Sequence, residues 1–559
     1  MFSLYSKLDE YISNEKNFNN LIFFLVVFLC AVKLPMLFTT DIQPWDEGMY
    51  ATRVLSIYVN GDIIDQSQHS IGKFYSGSHP PLLIWLGYVS TLIFGINSAS
   101  LKIIPFIFSL LSVILIMLIS KRFFNTRVAF YAALIFCSNI IFNIFSKRFQ
   151  FDYPFTFFFL LSFYLIVLYN DTLKLKYLIL CGISFGLCLM VKILVGFYIP
   201  FTILLSLIVM KDRIRIRLKD ILILSVTGIL IALPWHVYML YKYGSEFTDF
   251  FFKFHIIDRA FQGVEFNVKR SGPLYHINYL MTILPYSIIV FIALLKDLRN
   301  ISRLSAGKIF LWIWFISGMI ILALFKTKLE VYILIPLTPG CILMTAYADE
   351  IDKESVFTRI VILILIVFNF LWYATESVRP EIKNYITGPG KIQVFISLTA
   401  FIILMYFTFR YIVSRYDIKK MIYAFIFIFF ISLNLYYLYN VPFWENDFQI
   451  TEVKRHIESS GRKKLVYVAT NYRANPQFSF FFKGLDIGWK NDDYEFVFLD
   501  NKHGTDSVKS VLSGLPKNQY EIIVEKEGIN RAVYKESKLF IPEDFKLAIV
   551  SPGYELYEN

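Results

Sequence analysis

The sequence predicts an all-α polytopic membrane protein of about thirteen spans followed by a small C-terminal α/β domain, and three observations carry that reading. Of 559 residues 56% are hydrophobic and 18% charged, a balance that a water-soluble globule of this length cannot bury. Apolar runs long enough for about 30 Å of hydrocarbon recur along the chain, and the mean hydropathy is +0.55. After Tyr439 the pattern changes to short β-like runs separated by polar turns.

In order, the apolar runs fall near 19–38, 101–120, 127–146, 152–169, 177–191, 193–210, 220–241, 274–295, 309–325, 330–348, 359–377, 392–410 and 421–440. The first lacks a small-residue cleavage site and reads as a retained span. Residues 80–94 are also apolar, but the run is short and opens with a proline pair, as an interfacial or re-entrant helix does. Loop charge decides the matter. Five loops are rich in Lys and Arg, at 121–127, 174–176, 211–219, 296–308 and 410–420, and they share one side only if 80–94 does not cross. The positive-inside rule makes that side cytoplasmic and places the N-terminus there. The segments 39–79, 148–152, 242–273, 325–330, 376–391 and all after Tyr439 then lie outside. Residues 1–440 are expected to form the membrane domain. Residues 441–559 form an extracytoplasmic domain with runs at 464–469, 494–499 and 520–524 and turns at 475–476 and 503–504.

The composition excludes several classes of function. The net charge of +12 is spread over the loops between spans, so nucleic acid is not an expected partner. All five cysteines lie inside apolar runs, which indicates neither a disulfide framework nor a thiolate metal site. The chain has no P-loop, no dinucleotide fingerprint, no His-Glu-x-x-His and no nucleophile elbow. With 58 Phe and 36 Tyr the spans are bulky, and few polar residues fall deep inside them, which speaks against a transporter.

The residues suited to chemistry concentrate in the outer segments. Asp46-Glu47 follows the first span directly, with Tyr50 close behind. A carboxylate there serves as base towards a hydroxyl or as a helix cap. His79 precedes the short helix, as a functional imidazole or a helix-entry residue. Asp152 stands at the mouth of an aromatic span four residues after Arg148, which either clamps it or holds a phosphate. The loop 242–273 supplies His255, Asp258, Arg259, Lys269 and Arg270 among aromatics. Lys326 and Lys328, before Glu330 and Tyr332, run against the positive-inside trend and suit an anionic headgroup, unless they only snorkel to lipid.

The order of these features, with Gly61-Asp62, His79-Pro80-Pro81-Leu82, Met190-Val191-Lys192, His255 and the stretch from Lys326 to Leu334, resembles the GT-C membrane glycosyltransferases. Within them the likeness is to the lipid A aminoarabinose transferases and the protein O-mannosyltransferases. The resemblance implies inverting transfer from a polyprenyl-phosphate sugar to a lipid, glycan or protein acceptor at the outer face of the inner membrane. It places the catalytic aspartates on Asp46 and Asp152. Donor and acceptor binding falls on Glu47, Tyr50, His79, Arg148, Lys192, His255, Lys326, Lys328 and Tyr332. Where the aminoarabinose transferases carry Glu-Lys-Pro this chain has Ser78-His79-Pro80. A divalent cation is therefore the one cofactor left open, with His255 its candidate ligand. A lipid-linked-sugar flippase and a subunit of an envelope assembly are the competing classes.

Overall fold

The computed structural model describes residues 2–70, 72–263, 272–375, 391–445, 450–461, 464–468, 477–482, 495–499, 510–514, 519–525, 541–550 and 554–558. Lys269, Arg270, the segment 376–390 and the turns at 475–476 and 503–504 lie outside the described residues.

The chain is a multi-pass, mainly helical membrane protein. Among the described residues eight helices are long and apolar enough to cross a membrane, or nine with one bent pair, where the sequence suggests about thirteen. Shorter apolar helices at Thr126–Cys137, Leu175–Val191 and Tyr198–Val209 account for part of the difference. Leu82–Phe94 is the short helix expected after His79, and it packs beside the first-loop helix Asp46–Asn60.

Several expected spans are interrupted, each for a local reason. The run 274–295 divides into Tyr275–Ile283 and Ile288–Arg299, bent by 119°. Pro285 forces its neighbour Leu284 into an extended conformation (φ −132°, ψ 117°) and ends the first half. Asn369, on the helix Val356–Ala374, takes up the freed backbone groups: its oxygen accepts the Ile288 N–H at 2.8 Å and its amide donates to Met281 O at 3.0 Å. The run 127–146 breaks at Ser138-Asn139, where the Asn139 side chain accepts the Phe142 N–H and caps a new helix. The helix Leu175–Val191 ends at Lys192, where the sequence reading separates the runs 177–191 and 193–210.

Two further features depart from the sequence reading. Helices Leu175–Val191 and Leu218–Tyr243 cross through Gly182, Gly186 and Gly228, and a Cβ on Gly186 would sit 2.7 Å from Gly228 O. Small-residue packing is therefore present at this crossing. Nor are the spans free of charge, since Lys33 is fully buried in the first and donates to Asn143.

The C-terminal segment forms a five-stranded sheet of β1 (Lys464–Val468), β2 (Glu495–Leu499), β3 (Tyr520–Glu525), β4 (Lys546–Val550) and β5 (Tyr554–Glu558). Its order is β2-β1-β3-β5-β4, with β1 parallel to β2 and β3, and β5 antiparallel to β3 and β4. One face holds a small core of Val466, Leu512, Ile522 and Val524. Leu465, Ile523 and Leu556 join the core of the membrane domain. The short helix Gln477–Phe481 packs on Asp46–Asn60, so the tail rests on the first loop.

Candidate functional site

Asp46 opens its helix behind Trp45, whose φ of 62° is unusual for a residue with a Cβ and costs of order 1–3 kcal/mol. The strain sits immediately before an exposed carboxylate. Asp152 likewise opens the helix Asp152–Thr172. Both carboxylates face a polar cavity of about 220 Å³, shared with Tyr50, Gln150 and Glu330.

An apolar cavity of about 320 Å³ adjoins it, lined by Phe197, Tyr198, Phe201, Phe251, Ile321 and Ile335 among others. His79, Lys192, His255 and Arg259 line both cavities and so form their common wall. Lys192 reaches this wall because its helix stops there: it is the C-cap, in an extended conformation (φ −153°, ψ 90°). Its ammonium lies 3.7 Å from Asp152 Oδ1 and 5.0 Å from the centre of the Tyr332 ring.

His79 stacks on Phe151 and meets His255 edge-on, with ring centres 4.3 Å apart. Burial pushes its imidazole well below the usual range, and His255, Arg259, Arg53 and Lys192 push the same way. His79 is thus neutral at pH 7. Burial, and then Asp46, raise the Tyr50 phenol. The loop before His79 is held by Arg53, which is fully buried and donates to Ser76 O, His79 O and Gln66 Oε1 at 2.9–3.0 Å.

Four expected binding residues are used otherwise. Lys328 is buried and donates to Leu322 O and Ala323 O, closing the C-terminus of the helix Ala306–Leu324. Lys326 is exposed and lines neither cavity. Arg148 bonds Glu445 through two nitrogens at 3.4 Å, so the partner of Asp152 is Lys192 and not Arg148. Glu47 is fully buried and accepts the N–H groups of Gln43 and Phe149 at 2.9 and 2.8 Å. For Lys328, Arg148 and Glu47 the reason is the same. Buried N–H groups, helix-end carbonyls and opposite charges nearby compete for a charged side chain, and proximity decides.

Arg259 is the cation the sequence did not single out from its loop. Two backbone bonds at 3.0 Å, from Lys326 N to Ala260 O and from Thr327 N to Arg259 O, fix it beside the 325–330 segment. No local signal separates it from Lys269 or Arg270.

His255 Nε2 donates to Tyr75 O at 3.0 Å, the kind of bond that also orients a metal-ligating imidazole, while Ser78, which donates its hydroxyl to Phe74 O, adds no carboxylate beside it. Among the described residues, the one group of three side chains with metal-ligand spacing is His456, Glu521 and Glu558 in the tail, within 4.8 Å of one another.

Residues 78–238 match the family described as dolichyl-phosphate-mannose-protein mannosyltransferase, a stretch that includes His79, Asp152 and Lys192. An uncharacterized protein of Aquifex aeolicus (strain VF5) is 27% identical over 345 residues, 61% of this chain and 76% of that one. The undecaprenyl phosphate-alpha-4-amino-4-deoxy-L-arabinose arabinosyl transferase of Serratia proteamaculans (strain 568) is 26% identical over 341 residues, 59% of this chain and 58% of that relative. The match thus spans little more than half the length of the arabinosyl transferase. Among solved structures, ArnT from Cupriavidus metallidurans bound to undecaprenyl phosphate superposes with a TM-score of 0.66 at 15% identity, covering 96% of this chain and 97% of that one. The oligosaccharyltransferase AglB from Archaeoglobus fulgidus gives 0.50 at 11% identity, with 94% and 71% covered. The fold is that of these proteins, and the chain resembles the GT-C glycosyltransferases.

Proposed function

We propose that this chain transfers a sugar from a polyprenyl-phosphate carrier to a lipid, glycan or protein acceptor, with inversion, at the outer face of the inner membrane. The observation that carries the reading is the pair of cavities with a common wall. An apolar slot suits prenyl units, the wall brings Lys192 and Arg259 to one place, and beyond it the polar cavity holds Asp46 and Asp152. A sugar phosphate ester on a lipid has the same three parts in the same order.

In the reaction the acceptor hydroxyl oxygen bonds to the anomeric carbon as the bond from that carbon to the phosphate oxygen breaks. The electron pair leaves with the polyprenyl phosphate. Lys192 and Arg259 stand where the extra negative charge develops, and stabilising it in a water-poor cavity is the main work of the site. The acceptor proton goes to a carboxylate. Asp46 is assigned that role because it is exposed at the polar cavity, whereas Asp152 lies within 3.7 Å of Lys192 and orients it. One displacement inverts the anomeric carbon.

The likeness to the arabinosyl transferases supports a lipid-linked donor, and a lipid A type acceptor is one of the classes to test. In this reading the N-terminus is cytoplasmic and residues 441–559 are extracytoplasmic. The test is reconstitution with labelled polyprenyl-phosphate sugar and an envelope lipid extract. Release of free polyprenyl phosphate, with label moving to a new species and with both steps lost in Asp46→Asn, supports the reading. Tight donor binding with no turnover over a broad set of acceptors overturns it in favour of a flippase.

A further inference from the structure

The turn 146–151 delivers Gln150, Phe151 and Asp152 to the polar cavity, yet the residues that fix it lie far away in sequence. Lys147 is fully buried and donates to Glu445, and Arg148 reaches the same carboxylate. Glu445 is itself 4% exposed. It follows the helix Ile418–Trp444, and five residues further on Ile450 N donates to Asp41 Oδ2 at 3.0 Å, ahead of the tail helix Thr451–Ser460. Phe149, between the turn's charged half and its cavity half, is fully buried against Gly87, where a Cβ would lie 2.4 Å from the Phe149 ring.

We infer that Glu445 is a positioning residue for Asp152: it anchors the buried Lys147 and Arg148 of the turn to the end of the last described membrane helix, and so sets where the carboxylate meets the donor. The inference rests on the glycosyl-transfer reading above.

Three features of the arrangement carry it. First, a fully buried ammonium needs its countercharge, and Glu445 supplies it, so the turn has no equally good alternative seat. Burial raises the Glu445 carboxyl, but Lys147, Arg148 and Lys102 outweigh burial and hold it at about 2, so it is charged throughout the working range. Second, neither Lys147 nor Glu445 lines either cavity. Their effect on chemistry must therefore pass through the position of residues 150–152. Third, Lys192 and Arg259, which meet the donor phosphate in this reading, stand on other elements. Moving the turn disturbs Lys192 through its contact with Asp152 but leaves Arg259 in place, so turnover suffers more than donor affinity.

The experiment is to measure kcat and the KM for polyprenyl-phosphate sugar, with thermal melting in detergent, for Glu445→Gln, Glu445→Asp and Asp152→Asn in the full-length protein. Misplacing a catalytic group by about 1 Å costs about 100-fold, so Glu445→Gln is expected to lower kcat by that order. Its KM is expected to rise by less than kcat falls, because Lys192 loses its partner Asp152 but Arg259 is held by its own backbone bonds to the 325–330 segment. Glu445→Asp, which keeps the charge, recovers much of kcat. Normal kcat in a folded Glu445→Gln protein overturns the inference, and so does a loss of activity that merely follows the folded fraction. If Glu445→Gln does not fold, the double variant Lys147→Met with Glu445→Gln removes the uncompensated charge. Folded protein with low kcat then supports the inference, and folded protein with normal kcat overturns it. Unchanged turnover in Asp152→Asn also overturns the inference, since Glu445 acts through Asp152, whereas lost turnover in Asp152→Asn beside normal kcat in Glu445→Gln overturns the inference alone and leaves the glycosyl-transfer reading standing.

Discussion

Glu47 Oε1 accepts the N–H of Phe149 at 2.8 Å, joining the residue beside Asp46 to the residue three before Asp152. The two carboxylate-bearing segments are thus tied directly together, although about a hundred residues separate them. Replacing Glu47 by Gln substitutes a neutral acceptor for a charged one in a buried bond, at a cost of about 1–2 kcal/mol. The expected outcome is a lower melting temperature together with a roughly tenfold fall in kcat. Steady-state kinetics beside a melting curve check it.

Asp46→Asn keeps size and polarity but cannot take up a proton. A missing general base costs about 10²- to 10⁴-fold, so polyprenyl-phosphate release should fall by at least the lower figure with melting unchanged. Turnover within a few-fold of the native protein would show that the acceptor proton goes elsewhere.

Three cations of the sequence reading, and Arg259 beside them, separate experimentally. Lys192→Ala and Arg259→Ala are each expected to weaken donor use about tenfold or more in kcat/KM, because each stands on the shared wall of the cavities. Lys326→Ala should leave kcat/KM unchanged. Lys328→Met should leave KM unchanged and cost about 2 kcal/mol, since it strips two helix-end carbonyls of a charged donor. Parallel titrations with donor and with denaturant distinguish these results.

His79 makes the stability depend on pH with a definite sign. Its folded pKa lies below the usual 6.5 through burial and neighbouring cations. Above pH 6.5 the imidazole is neutral in both states and its contribution is fully present. Between 6.5 and the lower folded value only the unfolded chain gains a proton, so stability falls with falling pH, by up to about 1.4 kcal/mol per pH unit. Melting curves from pH 8 to pH 5 should show this slope, and His79→Asn should remove part of it. A His79→Asn slope equal to that of the native protein would place the proton on another group.

Gly186→Leu inserts a side chain where even a Cβ approaches Gly228 O to 2.7 Å. Helices Leu175–Val191 and Leu218–Tyr243 must then separate, and with them Lys192 at the end of the first. The expected result is poor recovery of monodisperse protein and loss of donor binding in what remains. Size-exclusion profiles and lipid-binding assays read both.

Much of the fold was legible in the sequence because the choice between lipid and water is made by long runs. Some twenty apolar side chains add their transfer free energies, and a single residue seldom reverses the sum. The convergence of Asp46, His79, Asp152, Lys192 and His255 was legible for a related reason, as each lies in a loop or at the end of an apolar run, where a polar group finds water. What the runs do not determine is where they break. Pro285 with Asn369, and Asn139 with its own helix, turn expected single spans into bent or divided ones.

Nor do they determine which way each charged side chain turns. Lys328 went to helix-end carbonyls, Arg148 to Glu445 and Glu47 to two backbone amides, while Arg259 reached the cavity wall. Those outcomes depend on groups as many as 297 positions apart. From the sequence alone came a membrane-embedded helical chain whose candidate acids and histidines stand in loops or at helix ends. The tertiary structure decided which of those groups face the cavities, because a charge pairs with the nearest group able to satisfy it, and nearness is created only when the helices pack.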